Sequence, residues 1–156
     1  MTVCLLLTAG SSSRMGKPKM LLSFKGKTLL QGAIDEINNI NETLLVVTGK
    51  YHDLIKDVLL SQQVKFVENK NWEEGMGSSI QTGIKFIIEN YAAAENVIIL
   101  VCDQPYLSSA LLVELIDMQK RTKKGIVASV YNNTVGTPVL FTSRSEERRV
   151  GKECLR

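Results

Sequence analysis

Residues 7–19 read LTAGSSSRMGKPK, concentrating glycines, hydroxyls and cations in one short stretch. That mixture suits phosphate. Gly10 and Gly16 permit backbone conformations in which successive N–H groups point at one anion, Ser11, Ser12 and Ser13 add hydroxyl donors, and Arg14, Lys17 and Lys19 supply positive charge. The competing reading is an exposed basic turn. Two phosphate loops of known mechanics do not fit. A P-loop sets four residues between its glycines and follows its Lys with Ser or Thr, whereas five residues separate Gly10 from Gly16 and Pro18 follows Lys17. The dinucleotide pattern G-x-G-x-x-G fails because Ser12 stands two places after Gly10.

The second chemistry-bearing residue is Asp103, at the end of the apolar run 97–101 and two places before Pro105. A hard cation such as Mg²⁺ prefers oxygen ligands and bridges carboxylates to substrate phosphates, which makes Asp103 the leading metal candidate. An Asp-x-Pro turn is the plainer alternative. A phosphate-binding loop facing a metal carboxylate predicts a phosphorylated ligand held together with a metal ion. The protein's part is then positioning and charge neutralisation. His52, the only histidine, lies at the polar start of an expected helix and reads as a solvated residue, so no histidine-based catalysis is expected. Trp72 reads as a loop anchor, and Met15 and Met76 as packing residues.

The elements that must hold these residues alternate strictly. The apolar run 3–7 reads as a strand buried on both faces, and 44–48, 64–68 and 97–101 read as the second, third and fourth strands. Between them, Leu29, Leu30, Ala33, Ile34, Ile37 and Ile40 fall on one helical stripe, as do Leu54, Ile55, Val58 and Leu59. Ile80, Ile84, Ile87, Ile88 and Tyr91 give a third stripe, with Ser78 or Ser79 expected to cap it. A helix from about Ser108 turns Leu111, Leu112, Leu115 and Ile116 inward, followed by strands at 126–131 and 137–141. The pattern predicts an α/β, three-layer, mostly parallel sheet with helices on both faces and ligands outside the carboxyl ends of its strands.

At 156 residues, 44% hydrophobic and 22% charged, the chain reads as one globular domain and not as a disordered, collagenous or disulfide-built protein. Its longest purely apolar run, 97–102, is too short to cross a bilayer, and residues 1–7 lack a basic leader. A cytoplasmic protein is expected, with Cys4, Cys102 and Cys154 as thiols. The net charge is +3, of which residues 144–156 contribute +2. The remainder has no basic cluster to hold nucleic acid. The segment RSEERRVGKEC at 144–154 resembles the read-through translation of a sequencing adapter. The expected organisation is one domain over 1–143, incomplete at its carboxyl end, and an extraneous, unpacked tail over 144–156.

Longer motifs then align in order. Leu7, Gly10, Ser12, Arg14, Met15, Gly16 and Lys19 match L-x-A/G-G-x-S-x-R-M-G-x-x-K. Asn69, Trp72 and the run Gly75-Met76-Gly77-Ser78-Ser79 match N-x-x-W-x-x-G-M-x-S-S, Asp103-Gln104-Pro105 matches D-x-P, and 136–141 matches G-x-P-x-x-F. Over residues 3–141 the chain resembles the molybdenum cofactor cytidylyltransferase-like family. The resemblance implies a Rossmann-like fold of the nucleotide-diphospho-sugar transferase kind, CTP or GTP as donor, Mg²⁺, and molybdopterin as typical acceptor. A molybdoenzyme or its chaperone would receive the product.

By the same resemblance, Arg14 holds the β and γ phosphates and Lys19 the α-phosphate. Leu7, Ala9 and Gly10 line the nucleotide pocket, Ser12 and Gly16 belong to the same loop, Asn69 contacts the nucleotide and Ser79 orders the substrate. Catalysis falls to Arg14, Lys19 and Asp103, with Asp103 on the metal. Ala9 favours the smaller pyrimidine and hence CTP. A nucleotidyltransferase for a sugar or isoprenoid phosphate, or a truncated nucleotide-binding protein without turnover, are the alternatives, and the GMGSS and DQP segments favour the pterin reading. The family's second acidic motif, D-x-D-T-P-x-D, has no counterpart in 142–156, so a truncated chain and weak catalysis are expected.

Overall fold

In the computed structural model, residues 1–8, 18–131 and 133–143 are described, and all structural statements refer to these. The chain runs β1 (Thr2–Leu7), a 3-10 turn (Lys19–Leu21), a small hairpin of β2 (Ser23–Phe24) and β3 (Lys27–Thr28), α1 (Leu29–Asn38), β4 (Thr43–Thr48), α2 (His52–Ser61) and β5 (Lys65–Glu68). There follow a 3-10 turn (Trp72–Glu74), α3 (Met76–Asn90), β6 (Asn96–Val101), α4 (Ser109–Thr122), β7 (Ile126–Tyr131) and β8 (Thr134–Thr142). Six strands form one sheet in the order β5-β4-β1-β6-β8-β7. β5, β4, β1 and β6 are parallel neighbours, while β8 runs antiparallel to β6 and pairs antiparallel with β7. This is the mostly parallel α/β arrangement that the sequence predicts.

The central strands β1, β4 and β6 are largely apolar because both faces are covered, and successive residues serve opposite layers. Leu6, Val46, Ile98 and Leu100 pack with α1, α2 and α4 through Leu30, Ile34, Ile37, Ile55, Leu59, Leu112 and Leu115. Leu5, Leu7, Leu45, Val47 and Ile99 pack with α3 through Ile80, Ile84 and Ile87. Two helices start on hydroxyl caps: Thr28 accepts from Gln31 N–H at 3.1 Å and Ser108 from Leu111 N–H at 3.3 Å. Glu36 on α1 accepts from the Ser109 N–H at 2.6 Å, placing a carboxylate at the amino end of α4 and joining two helices of one layer.

Four expectations need correction, the first being Met76, which is exposed at the start of α3 and does not pack. Leu54 and Val58 face outward, since α2 lies over the sheet margin, beside β5, and buries only the narrow stripe of Ile55 and Leu59. Ile88 is also exposed, because α3 meets the sheet through the face of Gly83 and Ile87, turning position 88 away. Neither Ser78 nor Ser79 caps α3: the N-cap is Gly75, and both serines lie inside the first turn.

Gly83 sets how closely α3 approaches. A Cβ there would stand 2.5 Å from Leu5 Cδ1 and 2.9 Å from Val47 Cγ2, both in the packed interior. Gly83→Ala is therefore expected to lower stability by about 1–3 kcal/mol through overpacking, outweighing the roughly 1 kcal/mol that Ala gains in helix propensity. Chemical denaturation checks this, and an equal or raised midpoint would contradict the close approach.

Candidate active site

The site is built where the strand order turns back on itself. β1 has β4 on one side and β6 on the other; the chain reaches β4 through α1 on one face of the sheet and, from β5, reaches β6 through α3 on the other face. The pairing reaches just past the strand ends: Thr8 N–H and Oγ1 both donate to Val47 O at 2.9 Å, and Cys102 N–H donates to Leu7 O at 3.1 Å. The carboxyl ends of β1 and β6 at such a reversal are where open α/β sheets bind ligands.

Asp103 is the first residue free of that pairing. Cys102 is held in the core and the next side chain turns out to solvent, with the carboxylate at the edge between β1 and β6. On the opposite lip, Pro18 O and Lys19 O accept from Leu21 N–H and Leu22 N–H, both at 3.0 Å, winding a single 3-10 turn. Met20 inserts into the core from that turn and leaves Lys19 pointing outward. Lys19 Nζ and Asp103 Oδ2 stand 3.6 Å apart, with side chains 45% and 50% exposed. A second contact ties the same two segments: the rings of Phe24 and Tyr106 meet edge-on at 5.5 Å.

The sequence's site residues thus separate into groups. Lys19 and Asp103 are brought together. Leu7 is buried, and its main-chain carbonyl serves the sheet through Cys102. Ala9, Gly10, Ser12, Arg14 and Gly16 lie outside the described residues, as does the tail 144–156. Asn69 and Ser79 are both 2% exposed and bonded to each other. Asn69 Nδ2 donates to Ser78 Oγ and Ser79 Oγ at 2.9 Å, and its Oδ1 accepts from Asn71 N–H at 2.9 Å. Asn69 thereby braces the end of β5 against the start of α3. Gly75 completes it at φ 96° and ψ −169°, a conformation essentially confined to glycine.

Sequence reasoning missed Phe24, Tyr106 and Gln104. The Lys25-Gly26 pair, both at positive φ, was the available signal for the hairpin that presents Phe24. Gln104 Nε2 donates to Thr137 O at 2.6 Å and fastens the residue after Asp103 to β8. His52 is not simply solvated, since its Nδ1 lies 2.8 Å from Thr48 Oγ1 and its ring against Phe66. Trp72 does anchor its loop, with Lys50 Nζ 5.7 Å from its ring centroid. Among the described residues, no three acidic, histidine or cysteine side chains gather to hold a metal, and no helix is long and apolar enough to cross a membrane. A metal here would rest on Asp103, water and phosphate.

Comparison with known proteins agrees with this geometry. The profile of the MobA-like NTP transferase domain matches residues 4–152. The bifunctional protein GlmU of Francisella philomiragia is 32% identical over 132 residues, covering 83% of this chain. The chain spans only 28% of that relative's length. Among solved structures, Rv0371c of Mycobacterium tuberculosis superposes with a TM-score of 0.79 at 23% identity, over 94% of this chain and 74% of that one. Its complex with manganese superposes at 0.73 and 19% identity, over 97% and 76%.

Two measurements follow from these environments. Asn69→Ala takes the partner from the buried Ser79 hydroxyl and from the Asn71 N–H and is expected to cost about 1–3 kcal/mol in denaturation; a loss within error would remove the brace. Burial pushes the thiols of Cys4 and Cys102 up to about 12, with Glu42 and Asp103 respectively as smaller contributors. The folded chain then keeps these protons where an unfolded chain releases them, so stability falls as pH rises from about 9 toward about 12. Native alkylation near neutral pH, read by mass spectrometry, should leave both unlabelled, and rapid labelling of either would contradict their burial.

Proposed function

The chain belongs to the MobA-like NTP transferase family, and we propose that it moves a nucleoside monophosphate from a nucleoside triphosphate to a phosphorylated acceptor, with CTP favoured over GTP. An acceptor phosphate oxygen attacks the α-phosphorus, the bond to the bridging oxygen breaks, and pyrophosphate leaves. The observation that carries this reading is the 3.6 Å contact between Lys19 and Asp103 at the edge shared by β1 and β6. An anion-binding cation and a cation-binding carboxylate at one crevice are what a metal–triphosphate needs.

The donor set fits Mg²⁺. Asp103 offers a half-exposed carboxylate, and Mg²⁺ commonly takes one or two protein carboxylates and completes its shell with water and substrate phosphates. When bound, the ion supplies neutralising charge beside the triphosphate. Lys19 holds the α-phosphate, and Arg14 holds the β and γ phosphates. Leu7, Ala9, Gly10, Ser12 and Gly16 form the wall around the nucleotide, with Ala9 leaving room for a pyrimidine. Asn69 contacts the nucleotide and Ser79 orders the substrate, from the braced start of α3. The manganese complex of the structurally similar Rv0371c supports a divalent ion. The GMGSS and DQP segments support molybdopterin as acceptor and, with it, a cytoplasmic setting and transfer of the product to a molybdoenzyme or its chaperone.

Calorimetry of CTP with Mg²⁺ tests this reading. Lys19→Ala should weaken CTP binding by about ten-fold or more, the scale of a lost charge-assisted hydrogen bond. In a coupled assay of pyrophosphate release, Asp103→Asn should lower turnover far more than it disturbs folding. Unchanged CTP affinity in Lys19→Ala, or near-normal turnover in Asp103→Asn, would remove that residue from the mechanism. Equal or tighter binding of GTP would overturn the base assignment.

A further inference from the structure

We propose that Lys19 and Asp103 form a resting ion pair that guards the metal-binding carboxylate, so that Asp103 is released to a divalent cation only when a triphosphate draws Lys19 away. The inference rests on the roles proposed for these two residues and adds an order to them. At 3.6 Å the pair is longer than a direct hydrogen bond and is held chiefly by charge. Both side chains are about half exposed, which keeps the contact weak enough to exchange. Their backbones are fixed independently, Lys19 by the buried Met20 beside it and Asp103 by the bond from Cys102 N–H to Leu7 O. The two side chains can therefore part without disturbing the core.

A cation arriving alone meets a carboxylate already neutralised by an ammonium. A triphosphate offers that ammonium several anionic oxygens, a stronger partner than one carboxylate. Lys19 exchanging partners then leaves Asp103 with uncompensated charge beside the phosphates. By linkage, nucleotide and metal each favour the other through the protein as well as through direct contact. The guard also disfavours occupation of the carboxylate by a cation in the absence of substrate.

The test is binding of Mn²⁺ without nucleotide, followed by the loss of the free-ion electron paramagnetic resonance signal. The chain would be compared with Lys19→Met, Asp103→Asn, the double variant, and Lys50→Met as a control for net charge, since Lys50 is held by the Tyr51 and Trp72 rings. Lys19→Met should bind Mn²⁺ roughly three- to five-fold tighter, the factor that an exposed ion pair carries. Lys50→Met should match the parent, and the double variant should fall to the level of Asp103→Asn. Lys19→Met binding no tighter, while Asp103→Asn loses the ion, would overturn the guard and leave the metal role of Asp103 standing. An equal gain in Lys50→Met would also overturn the guard, by tracing the effect to overall charge. Asp103→Asn binding like the parent would overturn the metal role itself.

Discussion

The arrangement of the carboxyl edge depends on β1 having a parallel neighbour on each side. Parallel pairing fixes the ends of β1, β4 and β6 at one level, and the terminal bonds from Thr8 to Val47 O and from Cys102 to Leu7 O carry it one residue further. The connections from these strands then diverge. The carboxyl ends of β1 and β6 lie side by side at the point where the strand order reverses, the gap in which open α/β sheets bind ligands. A buried central strand is expensive to shift, because slipping it by one residue would exchange the two layers of side chains. Lys19 and Asp103 therefore inherit their separation from the core.

The interactions around that gap fall into two strengths. Asn69, Ser78, Ser79 and Asn71 form a shielded hydrogen-bonded knot in which removing one member leaves others unpaired, and such knots hold one geometry. Lys19 and Asp103 sit in solvent, where an ion pair is weak and replaceable. The Phe24–Tyr106 contact links the lips beside that pair through ring edges and imposes no charge requirement of its own. Rigidity thus lies in the frame, while adaptability lies in the two groups that are to meet charged ligands.

Most of this frame was legible in the sequence because apolar periodicity reports burial directly. The strands and helices around Leu5, Ile34, Ile98 and Leu115 follow from it, and Ser108 and Thr28 announce their helix starts. Gly83 escaped because a residue without a side chain adds nothing to a hydrophobic pattern, although it decides which face of α3 meets the sheet. The antiparallel course of β8 between β6 and β7 escaped for a similar reason: strand propensity carries no direction. At the site, residue types singled out Lys19 and Asp103 because their charges are complementary. The same types could not show that Asn69 turns inward, since an amide suits a ligand and a buried turn equally well.

The central claim is that the crevice between β1 and β6 receives a metal–nucleotide through Lys19 and Asp103. Diffraction from crystals grown with CTP and Mn²⁺, collected for the anomalous signal of manganese, tests it most directly. The account predicts an anomalous peak within coordination distance, about 2–2.5 Å, of an Asp103 carboxylate oxygen, with Lys19 Nζ turned from Asp103 onto a phosphate. A nucleotide bound elsewhere, or a manganese peak in this crevice with Lys19 still paired to Asp103, would contradict it.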